Sequence, residues 1–75
     1  MKIKILIDTI SKVQDFYRLA QSFIGGIEVH SGRYIVDGKS LIGLFSLDLS
    51  VPVYVVTDYD NADQAEMLFE RFQVN

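Results

Sequence analysis

The stretch IEVHSGRYIVDGKSLIGLFSL, residues 27–47, decides the reading of this chain. Ile27 to Ser31 and Arg33 to Asp37 are short runs rich in β-branched and aromatic residues, which pleated strands favour. Ser31-Gly32 lies between them, so the two runs predict a hairpin. After Asp37 the period changes. Leu41, Leu44 and Phe45 are spaced for one face of a short helix over Lys39 to Leu47, with Ser40 as its N-cap.

Working outward, the same two periods alternate. Lys2 to Asp8 puts Ile3, Ile5 and Ile7 on one face and Lys2, Lys4 and Asp8 on the other, with Leu6 the exception. That is a half-buried strand. Ser11 to Ile24 carries Val13, Phe16, Tyr17, Ala20, Phe23 and Ile24 on one helical stripe. Ser11 with Gln14 resembles a capping box, and Gly25-Gly26 supplies a left-handed stop. Val51 to Asp58 is a β-branched strand with Pro52 near its start, where a missing amide is tolerated. Asn61 to Phe72 is a last helix with Ala62, Ala65, Leu68, Phe69 and Phe72 on its stripe, and Asn61 with Gln64 as another capping pair. The order β-α-β-β-α-β-α predicts an α+β fold. It is an open-faced two-layer sandwich, with a four-stranded, mainly antiparallel sheet and three helices on one face.

Composition narrows the function. Seventy-five residues form one domain over residues 1–75 and are too few for the large nucleotide-binding and barrel enzymes. The chain is therefore expected not to be an enzyme. With no cysteine and one histidine, thiolate sites and clustered-histidine zinc sites are excluded, and no cofactor is expected. Seven basic residues against ten acidic ones provide no basic face for nucleic acid. The apolar runs fall well short of a membrane span, and Asp8 interrupts the first of them, so no signal peptide is read. A cytoplasmic protein is expected.

Three local patterns suggest chemistry and fall short of it. Gly38-Lys39-Ser40 resembles the end of a phosphate-binding loop, but five residues separate Gly32 from Gly38 where that loop has four, and they are strand-like. Asp58 to Asp63 is acidic, but the sixth and twelfth positions of a calcium loop fall on Asp63 and Phe69 instead of glycine and glutamate. His30 stands near a turn, where histidine is usually solvated, with no acid whose spacing demands pairing. Ser40 is more informative. It is an ordinary helix cap, and it is also placed where an added phosphate would meet helix amides beside the apolar Leu41, Ile42 and Phe45.

Lys39-Ser40-Leu41-Ile42-Gly43-Leu44-Phe45-Ser46-Leu47 resembles the regulatory-site segment of the HPr phosphocarriers of the bacterial sugar phosphotransferase system. Phe16 to Val29 and Val53 to Phe72 resemble that family's first helix with its second strand, and its last strand with its last helix. The family's phosphohistidine stretch, Gly-Leu-His-Ala-Arg-Pro-Ala, is here Asp8-Thr9-Ile10-Ser11-Lys12-Val13-Gln14, without histidine, arginine or proline. A subgroup, the catabolite-repression HPr-like proteins, also lacks that histidine and keeps the serine. The resemblance implies a regulatory or adaptor protein without phosphohistidine chemistry. Ser40 would be its regulatory phosphorylation site, and Lys39, Leu41, Ile42 and Phe45 its contact surface for a protein partner. HPr kinase or a transcriptional regulator is the partner implied. The alternatives are a non-standard phosphocarrier of the sugar phosphotransferase system, with phosphate on His30 or from a non-standard donor, and a structural interaction module in which Ser40 is only a cap. Partner identity and oligomeric state stay open.

Overall fold

Residues 2–75 are described by a computed structural model of the chain. Met1, the first residue of the expected 1–75 domain, lies outside them. Strand β1 spans Lys2–Ile5, helix α1 Ile10–Gln21, β2 Glu28–Ser31, β3 Tyr34–Asp37, α2 Leu41–Phe45, β4 Val53–Val56 and α3 Ala62–Leu68. Short 3-10 turns cover Tyr59–Asn61 and Glu70–Phe72. The four strands make one sheet in the order β1-β4-β2-β3, and every pairing is antiparallel. The expected α+β open-faced sandwich is the observed architecture.

Alternation along the strands explains the two faces. Ile3, Val55 and Val29 share one register row, and Ile5 pairs with Val53; all five are buried. They meet Val13, Phe16 and Ala20 of α1, Leu44 of α2 and Ala65 of α3 in one core. Phe16 lies 4.6 Å from Phe69 and 6.0 Å from Phe72 between ring centroids, a tilted and an edge contact of the kind aromatic quadrupoles favour. The opposite face carries Lys4, Tyr54, His30 and Ile35 in one row.

Element ends depart from expectation for physical reasons. β1 stops at Ile5, not Asp8, because its partner β4 begins opposite it at Val53. Ile7 nevertheless stays buried, and the Leu6 amide donates to the Phe72 carbonyl at 2.9 Å. The cap of α1 is Thr9, not Ser11: the Thr9 hydroxyl accepts from the Lys12 amide at 3.1 Å. That helix ends before the glycines, where the Ser22 hydroxyl donates to the Leu19 carbonyl at 2.7 Å. Phe23 then turns into the core, while Ile24, expected on the buried stripe, is 75% exposed. Asn61 makes no side-chain cap. Its amide nitrogen instead approaches Gly25, which has φ +100° and leaves no room there for a Cβ. The last helix breaks at Phe69, and the following 3-10 turn brings both Phe69 and Phe72 into the core.

Candidate functional site

The end of β3 builds the approach to Ser40. The Asp37 carboxylate accepts from the Lys39 amide at 2.9 Å, and the Asp37 carbonyl accepts from the Ser40 amide at 3.0 Å. Such an aspartate-centred turn brings the chain from strand to helix without unpaired backbone. Ser40 is extended, with φ −103° and ψ 113°, as an N-cap requires. Its hydroxyl oxygen accepts from the Gly43 amide at 3.1 Å, and its carbonyl accepts from Leu44 at 3.0 Å. Leu41 and Ile42 are left as first-turn amide donors without helical acceptors. A Cβ on Gly43 would sit 3.2 Å from both the Ser40 hydroxyl oxygen and Val36 Cβ, so α2 packs closely on β3.

The five side chains singled out in the sequence take different places. Leu41 is half-buried against the core, behind the fully buried Leu44. Ile42 is 86% exposed and Phe45 is 47% exposed. Phe45, spaced with Leu41 and Leu44 for one face and placed by the resemblance on a contact surface, is not buried with Leu44, because α2 is five residues long and stands over the edge strand, with core beneath one side only. Lys39 is half-buried and folds back onto the end of α1. Its ammonium donates to the Phe23 carbonyl at 2.7 Å, and Gln21 donates to the Lys39 carbonyl at 3.1 Å. Lys39 thus ties the start of α2 to the end of α1, leaving Ile42 and Phe45 as the outward part of the group.

The β1–α1 stretch carries different chemistry. Asp8 pairs with Lys12 at 3.1 Å, and that hydrogen bond, with help from the Asp8 backbone amide, holds its carboxyl below the usual carboxylate range. Ile10 is exposed beside it. His30 lies on the outer sheet face, away from the helices, in register with Tyr54 and Ile35. Its Nε2 is 3.0 Å from Glu28 Oε1. Sequence reading assigned His30 no acidic partner. The signal was the i, i+2 spacing, which puts Glu28 and His30 on one face of a strand.

A concavity of about 580 Å³ opens by Glu28, Ile35, Asp37, Val56 and Asp58. None of the five residues around Ser40 lines it. Among the described residues, no three side chains of His, Asp or Glu gather as a metal ion requires. No helix among them is long and apolar enough to cross a membrane.

One solved structure, HPr-C-His from Thermoanaerobacter tengcongensis, superposes with a TM-score of 0.80. The match covers 95% of this chain and 88% of that one at 22% identity. This chain has an HPr-like fold. At that identity the likeness establishes the architecture alone. No protein-family model matches the sequence, and no curated protein matches it.

Proposed function

We propose that this chain is an HPr-like regulatory or adaptor protein that binds a protein partner through α2, switched by phosphorylation at Ser40. One observation carries the reading: the capping serine stands directly before an exposed Ile42 and a half-exposed Phe45 on the same short helix. An apolar pair beside a modifiable hydroxyl joins a contact surface to a charge switch. Phosphorylation forms an Oγ–P bond on Ser40 and breaks the bond between the γ-phosphorus of ATP and its bridging oxygen. ADP leaves, and the hydroxyl proton passes to the kinase. The phosphate adds about −1.5 to −2 charges at neutral pH. It would stand near the Leu41 and Ile42 amides and change how a partner meets Ile42. The chain itself works by binding, and its serine is the substrate of another protein. HPr kinase is the proposed modifying partner, and a transcriptional regulator the proposed target.

Incubation with an HPr kinase and ATP, followed by intact-mass measurement, tests the switch. One added phosphate on the wild type and none on Ser40→Ala is the expected result. No phosphate on the wild type, or equal labelling of Ser40→Ala, removes it.

A further inference from the structure

The sheet has two edges, and one is already covered. Along β1, the Leu6 amide donates to Phe72 and the Val74 amide donates to the Lys4 carbonyl at 3.1 Å, while Ile5 bridges to Gln73. At the other edge, β3 has β2 as its one strand neighbour. Tyr34 is 70% exposed there and Ile35 58%. An edge strand with apolar side chains is a template for pairing with another chain.

The hairpin register tells which backbone groups face outward. The Gly38 amide donates to the Ile27 carbonyl at 2.8 Å, so this pair exchanges a ladder bond. Hydrogen-bonded and non-bonded pairs alternate in an antiparallel ladder. Val29 with Val36 and Ser31 with Tyr34 are then the bonded pairs. The amide and carbonyl of Ile35, and the amide of Asp37, point away from β2. The Asp37 carbonyl accepts from Ser40.

We propose that two copies of this chain pair antiparallel through β3, with a two-fold axis at Ile35. That axis sets Ile35 against Ile35 of the second copy and Tyr34 against Val36, the latter pair occurring twice, and it brings Arg33, in the hairpin turn just before β3, toward Asp37 at the end of the partner strand. The match is self-complementary, as a two-fold interface must be. Arg33 has no ion-pair partner among the described residues, and Asp37 is exposed. Apolar pairs directly across a ladder stabilise it, and opposite charges brought together at its two ends add to that attraction. Other registers lose this match. A shift of one residue sets side chains of opposite faces against each other. A shift of two sets Ile35 against Arg33 or Asp37. Two such short strands bury less than the roughly 1,200 Å² of a standard interface, so the dimer depends on concentration. The proposal is independent of Ser40.

Sedimentation velocity of the wild-type chain from low micromolar to near-millimolar concentration tests it first, with a rising dimer fraction expected. The chain has no cysteine, so Ile35→Cys reports on the axis. Residues facing each other in a hydrogen-bonded pair have Cα atoms about 5.5 Å apart, within disulfide range. Under mild oxidation I35C is expected to cross-link to a dimer, while the exposed control Ile24→Cys stays largely monomeric. Adding Arg33→Asp, which sets like charges across the axis, is expected to abolish that excess. A wild type that sediments as monomer throughout, or equal cross-linking of the two cysteines, overturns the proposal.

Discussion

Two adjacent glycines show how much one residue's backbone decides. Gly25 has φ +100°, and a Cβ there would lie 2.8 Å from Asn61 Nδ2. Gly26 has no positive φ, and nothing lies within 4 Å of the place its Cβ would take. Gly25→Ala therefore meets both strain and a clash, and is expected to cost about 1–3 kcal/mol. Gly26→Ala restricts the unfolded chain at a compatible position, and is expected to stabilise by about 0.4–1 kcal/mol. Urea unfolding of both variants checks the opposite signs. Equal effects would show that the turn does not hold these conformations in solution.

At the scale of elements, the start of α1 separates a real cap from an apparent one. The Thr9 hydroxyl receives the Lys12 amide, while Ser11 lies inside the helix and is exposed. Thr9→Ala is expected to cost about 1 kcal/mol of unfolding free energy. Ser11→Ala is expected to change it by no more than about 0.5 kcal/mol. Thermal unfolding of the pair decides which residue caps. The sequence pattern favoured Ser11 because it begins the run that ends in the apolar stripe. What it could not show is that Ile10, an exposed apolar residue, already belongs to the helix. Periodicity did identify every strand and helix, since each has a buried face with its own repeat. It could not place the ends, which depend on partners distant in sequence: Val53 for β1, Gly25 for Asn61. The strand order was illegible for the same reason, because β1 ends at Ile5 and β4 begins at Val53, with residues 6–52 of intervening fold between them. Ser40 was legible as a cap because capping is local. The inward hold on Lys39 was not, because its acceptor is the Phe23 carbonyl, sixteen residues away.

The whole molecule rests on few side chains, and this makes the core a sharper test than the surface. A chain of this length has about 4–11 kcal/mol of stability at typical values per residue. Phe16 is fully buried and touches both Phe69 and Phe72, so it joins α1 to the last helical turns across the sheet's inner face. Phe16→Ala removes the hub of that contact and leaves a cavity, at an expected cost of about 3–5 kcal/mol. That is a large share of the total, and the variant is expected to unfold at much lower urea or to populate unfolded chain without denaturant. Phe45→Ala removes a ring of the same size from a half-exposed position on α2. Its expected cost is about 0.5 kcal/mol or less. The same variant loses apolar area from the surface proposed to meet a partner. Phe45→Ala should therefore keep the wild-type unfolding midpoint and weaken partner binding, a pairing that a merely structural phenylalanine would not produce. If Phe45→Ala falls in stability as far as Phe16→Ala, Phe45 belongs to the core and α2 offers no free apolar surface.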